Sequence, residues 1–335
     1  MSKESFLTLL YQNQNRYLSG EAASAALGGL SRAAVWKYVD ALRGDGYVIE
    51  ARTGLGYRMV QAPDVLTEAE IRRFLKPVAC VGRSLCCLEE VDSTNTYCKQ
   101  AALSGAQEGT VVIADCQRAG RGRMDRTFQS PAGKGVYLSA LLRPRVPTEA
   151  LMSVTALTAV AVSNAIEQVC GVRPGIKWTN DLILGGKKLC GILTELSLEG
   201  ESGRIQYLVI GIGVNVLQGP EDFSPDVAQM ATSLRQELGR PVSRAELAAA
   251  EIRELDRLYA ALCSGETAPY REAYRRACVT LGREVQLLRA DGSREQVQAL
   301  DIDDQFGLVV RRNDGTRTVI RSGEVSVRGM YGYAE

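Results

Sequence analysis

Apolar side chains recur at helical spacing through the first forty residues. Phe6, Leu9 and Leu10 share one helical face, and Ser19 with Gly20 opens a second short helix that runs through Leu27. Gly28, Gly29 and Leu30 form a three-residue turn. Ser31 then caps a third helix in which Val35, Tyr38, Val39 and Leu42 fall at i, i+3, i+4 and i+7, so Arg32, Ala33, Trp36, Lys37 and Asp40 face outward. Gly44, Asp45 and Gly46 stop it, and residues 47–58 alternate as a strand, a Gly-bearing tip and a return strand. Further on, strand-like apolar runs alternate with longer helical patterns. The last segment breaks short apolar runs with Asp-Gly, Asp-Asp and Asn-Asp-Gly, which predicts small antiparallel strands and tight turns. No solenoid or propeller repeat and no low-complexity tract interrupts the chain. Three domains are expected, over residues 1–63, 64–277 and 278–335.

Helix, short helix, Gly turn, capped helix and hairpin make a winged helix-turn-helix, whose second motif helix enters a DNA major groove. Ser31, Arg32 and Lys37 supply small and cationic groups there, with Arg52 and Arg58 on the wing. Seven cations against five anions leave this segment a net +2, a weak bias that calls for a dimer to hold DNA. A protein-binding winged-helix module fits the same pattern.

Composition narrows the chemistry. At 335 residues, 45% hydrophobic and 24% charged, the chain is globular rather than disordered, and 40 Lys plus Arg against 39 Asp plus Glu point to no polyanion or membrane partner overall. The absence of His removes Ser-His-Asp and Cys-His catalysis and His-ligated zinc, leaving Lys, Arg, carboxylates and backbone. Nine Cys without a CxxC pair suit reduced thiols, the N-terminus lacks a signal-peptide pattern, and no 18 apolar residues run together. A cytoplasmic location is expected, with no membrane contact.

Four segments of the middle zone carry the chemically capable residues. Ser93, Thr94 and Asn95 follow a strand end, where they either cap a helix or meet a small polar ligand. From Gln117, four Arg in nine residues (Arg118, Arg121, Arg123, Arg126) are spaced by Gly, a poor helix and strand but a good loop over phosphates. A solvated basic loop and a nonspecific RNA-contacting loop are the other readings. Residues 176–196 form two strands joined at Gly185 and Gly186, which sets Lys188 across from the strand end at Lys177 to Asp181. Such a Lys either neutralises charge on a phosphorus or merely solubilises a hairpin. In residues 208–216, Gly211 and Gly213 admit a ligand close to a buried strand, and Asn215 reads a polar group. A GxxxxGK[ST] phosphate loop is absent.

Taken together, the Ser-Thr-Asn triplet at 93–95, Gly-Arg-Gly-Arg at 120–123, Lys-Trp-Thr-Asn-Asp at 177–181, the run from Lys188 to Leu193 and Gly-Ile-Gly-Val-Asn at 211–215 resemble the biotin-protein ligase family. The match extends over nearly the whole chain and is to its bifunctional members, which are both biotin-[acetyl-CoA-carboxylase] ligases and biotin-operon repressors. The resemblance implies an α+β multidomain fold: a winged helix, a central mixed sheet similar to class II aminoacyl-tRNA synthetase cores, and an SH3-like C-terminal β-barrel. It also implies that biotin and MgATP form biotinyl-5'-AMP, that a lysine of a biotin carboxyl carrier protein then takes the biotin, and that the adenylate is the corepressor of a homodimer on operator DNA. Mg2+ is expected with ATP, its ligands unassigned.

By the same resemblance, Ser93, Thr94, Asn95, Gln117, Arg121, Gly122, Arg123 and Lys188 line the biotin site. Arg123, Arg126, Phe128, Lys177, Asn180, Asp181 and Asn215 face the nucleotide, and Lys188, Arg121 and Arg123 are catalytic. Arg328 meets the acceptor. Three positions depart from the family pattern: Asp125 stands for Gly, Phe128 for Trp and Thr179 for Pro. Asp125 puts an anion into a phosphate loop, which motivates an alternative, a biotin-sensing DNA-binding regulator with weak or lost ligase activity. A ligase of a related acyl cofactor such as lipoate is a third reading, disfavoured by the winged helix and the full Arg-Gly loop.

Overall fold

Serine side chains start the helices of the N-terminal segment by accepting a hydrogen bond that the first helical turn leaves unmade. The computed structural model describes residues 2–13, 16–123, 126–200, 204–288 and 293–321, and the backbone of 324–327. Its contacts divide the chain into two compact units, Met1–Val65 and Leu66–Glu335. The first holds α1 (Lys3–Gln12), α2 (Gly20–Ala26), α3 (Arg32–Gly44) and a hairpin of β1 (Val48–Arg52) and β2 (Gly56–Gln61). Ser19 Oγ accepts from Ala22 N at 3.0 Å, and Ser31 Oγ from Ala34 N at 3.2 Å. Val35, Val39 and Leu42 of α3 are buried with Phe6, Leu7 and Leu10 of α1. Leu7 takes the place expected for Leu9, because α1 packs against both α3 and β2 and its buried arc turns toward both. Phe6 lies between the rings of Tyr38 and Tyr57, each 6.3 Å away.

The second unit continues with α4 (Glu68–Phe74), β3 (Ser84–Val91), α5 (Thr94–Leu103), β4 (Thr110–Gln117), β5 (Gly135–Leu142), α6 (Thr148–Leu151) and α7 (Val154–Cys170). Next come β6 (Gly175–Lys177), β7 (Asp181–Leu184), β8 (Lys187–Leu198), β9 (Ile205–Asn215), α8 (Pro225–Ala228), α9 (Leu234–Leu238), α10 (Arg244–Ser264) and α11 (Ala268–Ala277). β3 to β9 form a seven-stranded mixed sheet in the order β3-β4-β5-β9-β8-β7-β6, parallel only between β3 and β4. Period-2 alternation sorts its two faces. Val111, Ile113, Leu138, Ala140, Ile210 and Ile212 join the core beneath α7 and α10, while Val112, Leu141, Tyr207 and Val209 meet α5 on the other side.

The chain ends in β10 (Glu284–Leu288), β11 (Arg294–Ile302), β12 (Leu308–Arg311), β13 (Arg317–Ile320) and β14 (Glu324–Val327), an antiparallel sheet ordered β13-β12-β11-β10-β14. Its buried Val285, Val297 and Val310, with Phe306, belong to the same core as the central sheet, within the compact unit Leu66–Glu335. Trp178 ties the two together: its indole Nε1 donates to Phe306 O at 2.9 Å and its backbone N donates to Thr280 Oγ1 at 3.0 Å. The Phe306 ring meets Tyr274 edge-on at 5.3 Å, and Tyr274 Oη donates to Thr179 O. These contacts break the strand expected through residues 176–184 into β6 and β7, with Trp178 to Asn180 as the turn between them.

All nine cysteines are free, and burial raises the Cys87 and Cys98 thiols to about 12. Among the described residues no helix is long and apolar enough to cross a membrane.

Glu251 of α10 is fully buried, both carboxyl oxygens lack a hydrogen-bond partner among the described residues, and burial pushes its pKa well above the usual carboxylate range. A carboxyl that folds neutral but ionises in the unfolded chain loses stabilising effect as pH rises beyond its ordinary range. Glu251→Met is therefore expected to raise unfolding free energy at pH 7 by about 2 kcal/mol, and by less near pH 4, in denaturant titrations at the two pH values. Phe306→Ala is expected to cost about 3 kcal/mol in the same assay, since it empties the contact between the C-terminal sheet and α11.

Candidate functional site

Glycines clear one face of the sheet on its α5 side. Alternation turns Gly211 and Gly213 to the same face as Tyr207 and Val209, and Gly213 pairs directly with Gly191 across β8 and β9. A Cβ at 211 would lie 2.0 Å from Asn95 Oδ1, and one at 213 would lie 2.6 Å from the Phe128 ring. The bare backbone thus admits Asn95 from α5 and seats Phe128, whose ring is 6.4 Å from that of Tyr137. Above this floor opens a cavity of about 260 Å³.

One wall comes from the start of α5 and the end of β4. Ser93 caps α5, accepting from Thr96 N at 3.5 Å, so the capping role and the site position coincide. Gln117 Oε1 accepts from Thr94 N at 2.9 Å and from Thr94 Oγ1 at 3.1 Å, and Gln117 Nε2 donates to Ser130 Oγ at 2.9 Å. Asn95 Nδ2 donates to Glu195 Oε2 at 2.8 Å and to Leu193 O at 3.2 Å. Asn95 therefore spends its amide hydrogens on the protein rather than on a ligand.

The opposite end is cationic. Arg121, Arg123, Arg126, Lys177 and Lys188 line the cavity, and Asp181 is the one carboxylate among the described lining residues. Lys188 Nζ lies 2.8 Å from Asp181 Oδ1, a diagonal contact across a hairpin whose register sets Lys188 against Ile183 and Asp181 against Gly191. Arg123 Nη1 donates to Thr179 Oγ1 and Asn180 Oδ1, both at 3.0 Å, so the Thr that stands where the family pattern has Pro holds the Arg-Gly loop. That loop folds back on itself, with Gly122 N donating to Arg126 O at 2.7 Å and Phe128 N to Gly120 O at 2.8 Å. Asp125 lies outside the described residues.

Asn215 lines the cavity and is also tied into the protein. Its Nδ2 donates to Thr232 O at 3.0 Å and its Oδ1 accepts from Gln218 at 3.2 Å, so it anchors the segment after β9. That segment supplies Phe223, Val227, Met230 and Ala231 as an apolar side of the cavity, which sequence inspection missed. It is held by backbone bonds from Lys188 N to Met230 O and from Thr232 N to Lys188 O. Short helical signals in a Pro- and Ser-bearing stretch offered no pointer to this nonlocal packing. Trp178, Ile192 and Leu193 also line the cavity.

Glu195 sits half-buried behind Asn95. Against the upward push of its burial, hydrogen bonds from Lys99 (2.7 Å) and Asn95 hold its carboxyl below the usual range. No cluster of three His, Cys, Asp or Glu side chains suited to a metal exists among the described residues.

In the N-terminal unit, Arg32 and Lys37 are exposed on α3 beside Trp36, which is 52% exposed, and the Ser31 hydroxyl is engaged as the cap. The wing arginines are less available than expected. Arg52 and Arg58 pair with Glu50 at 2.8 and 2.6 Å, and both guanidinium groups lie over the Tyr17 ring. With the Tyr17 hydroxyl, Arg58 and Arg52 around it, the Glu50 carboxyl is held down at about 2. Arg328 lies outside the described residues.

Known proteins share this arrangement of parts. Profiles of three families match: "HTH domain" over residues 3–58, "Biotin/lipoate A/B protein ligase family" over 87–215 and "Biotin protein ligase C terminal domain" over 280–328. The Bifunctional ligase/repressor BirA of Bacillus subtilis is 36% identical over 95% of this chain and 96% of its own. The protein of the same name from Escherichia coli is 31% identical over 92% of each. Among solved structures, the biotin protein ligase of Aquifex aeolicus in complex with biotin and ATP aligns at 28% identity and a TM-score of 0.63, over 73% of this chain and 99% of that one. With its winged helix, ligase core and C-terminal sheet all matched, the chain belongs to the biotin protein ligase family, among its bifunctional ligase/repressor members.

Proposed function

We propose that the protein joins biotin to ATP as biotinyl-5'-AMP, transfers the biotin to a lysine of a carrier protein, and binds operator DNA when the adenylate is present. The observation that carries the ligase reading is the meeting, among the described lining residues, of five cations over one carboxylate beside an uncharged polar wall. A carboxylate and a triphosphate would share the cationic end, and the neutral ring of biotin would lie against Ser93, Thr94 and Gln117.

In the first step a biotin carboxylate oxygen bonds to the α-phosphorus and pyrophosphate leaves. Lys188, held at the hairpin by Asp181, lies where the carboxylate and the α-phosphate meet and neutralises the charge that grows on the phosphoryl oxygens. Arg121, Arg123 and Arg126 bring guanidinium forks to the phosphates, and the loop that carries them covers a mixed anhydride which water would hydrolyse. Phe128 and the wall of Phe223, Val227 and Met230 shield the adenosine from solvent. In the second step the carrier amine attacks the acyl carbon and AMP leaves; Arg328 is assigned to the carrier contact.

Mg2+ would come to the site with ATP, as suits an ion that keeps several waters and takes one or two protein carboxylates. Asp181 and Asn180 are the oxygen donors that fit it, and it would supply charge neutralisation at the phosphates. On the DNA side, the cap Ser31 and Arg32 and Lys37 of α3 face the duplex, with Arg52 and Arg58 shared between phosphate and Glu50. A net +2 on this segment suits a protein that binds as an adenylate-dependent dimer.

Biotin-dependent exchange of labelled pyrophosphate into ATP, with lipoate as control, tests the first step without the carrier. The parent chain should exchange with biotin alone, and Lys188→Ala should lower the rate at least about 100-fold while remaining folded. Undiminished exchange by a folded Lys188→Ala would remove the catalytic assignment, and a parent that binds biotin but never exchanges would favour the regulator reading.

Arg32→Ala combined with Lys37→Ala should weaken binding to a duplex selected by the protein from a random pool, and lower the salt dependence by about two phosphate contacts. Pyrophosphate exchange should be unchanged in that variant. Unaltered DNA binding would assign the winged helix to a protein partner.

A further inference from the structure

Behind the polar wall of the cavity runs a chain of hydrogen bonds whose proton order is set from its carboxylate end. Glu195 Oε2 and Leu193 O can only accept, so the Asn95 atom that faces both is Nδ2, and its two hydrogens are consumed there at 2.8 and 3.2 Å. Asn95 Oδ1 then faces Ser139 Oγ at 2.6 Å and can only accept. Ser139, fully buried on β5, has a single proton and must place it on that oxygen. Its lone pairs are left to face Thr94 Oγ1 at 2.8 Å. The Thr94 hydroxyl proton is therefore held within the protein, between Ser139 Oγ and Gln117 Oε1. Toward the cavity Thr94 shows only lone pairs. Gln117, whose Oε1 already accepts from Thr94 N and whose Nε2 gives one hydrogen to Ser130, has one amide hydrogen left.

We propose that Glu195 and Ser139, neither of which lines the cavity, are positioning residues that order these protons so that Thr94 offers an acceptor and Gln117 a donor, side by side, to a cyclic urea. This rests on the biotin reading above, and names the residues that fix the polarity with which the ureido N–H and C=O are met. Lys99, 2.7 Å from Glu195 Oε1, keeps that carboxylate an obligate acceptor. Gly211 adds the steric half of the constraint, since its lack of a Cβ leaves room for Asn95 Oδ1. If the Asn95 amide turned over, its NH2 would face Ser139, the Ser139 proton would point at Thr94 and take one of its lone pairs, and only the 3.1 Å contact to Gln117 Oε1 would be left to hold the Thr94 proton away from a ligand N–H. An acceptor with one lone pair taken and its proton less firmly held costs affinity for the one ligand that needs it and leaves the phosphate end untouched.

Calorimetric titration of the full chain with biotin, and separately with ATP, tests the assignment. Glu195→Leu removes the obligate acceptor and should weaken biotin binding about tenfold; Ser139→Ala should do the same by leaving Asn95 Oδ1 without its donor. Glu195→Gln can still turn a carbonyl oxygen to Asn95, so it should retain most of the affinity, losing roughly threefold. ATP titrations of all three should match the parent. Equal losses for biotin and ATP would reduce Glu195 and Ser139 to general structural support and overturn the proposal. So would unchanged biotin affinity in Glu195→Gln and Ser139→Ala, which carry the test if Glu195→Leu does not fold. A parent chain that takes up ATP but not biotin would overturn the functional reading and this inference together, whereas a parent that binds biotin beside unaffected variants overturns the inference alone.

Discussion

Five cationic side chains share a cavity with one carboxylate among its described lining residues, and like charges gathered so closely repel unless fixed partners hold them apart. Much of the surrounding structure answers that demand. Asp181 takes Lys188, and the turn between β6 and β7 takes Arg123 through Thr179 and Asn180. That turn is in turn braced from behind by Tyr274 and by the bonds of Trp178 to the C-terminal segment. The site is thus arranged for an anion before one arrives, and much of the cost of assembling the charges falls on folding rather than on binding.

Local rules made much of the fold legible. Ser19 and Ser31 stand where helices start, Gly185 and Gly186 where a hairpin turns, and alternation along residues 208–214 separates a core face from a bare one. The cationic and polar residues of the cavity were legible too, because Gly-spaced Arg and a Lys opposite a strand end are unusual enough to mark themselves. What escaped depends on partners distant in the chain. The apolar wall at Phe223 to Ala231 has no pattern of its own, and Trp178 looks like any buried aromatic until Phe306 is seen beneath it.

Several polar residues of the site have groups engaged by the protein itself. Asn95 and Asn215 both line the cavity, yet each binds its amide to the protein, one to orient the wall and the other to anchor the segment that closes one side. In the winged helix, Glu50 restrains the two wing arginines over the Tyr17 ring, which fixes their direction while reducing their net charge. In each case a motif residue and a framework residue are the same residue, and the sequence shows only that it belongs to the motif.

The indole bond from Trp178 to the Phe306 carbonyl bears on how such a chain can be cut and recombined. Because the turn carrying Thr179 and Asn180 rests on the C-terminal sheet, the five terminal strands are not a detachable appendage in the sense that the first 65 residues are. A gene truncated after α11 would encode a protein whose turn beneath Arg123 is loosened, not a smaller version of the same one. A graft of the C-terminal sheet from another lineage would need to bring its own aromatic with a carbonyl at that spot. Exchange of that sheet is thus tied to the turn that holds Arg123.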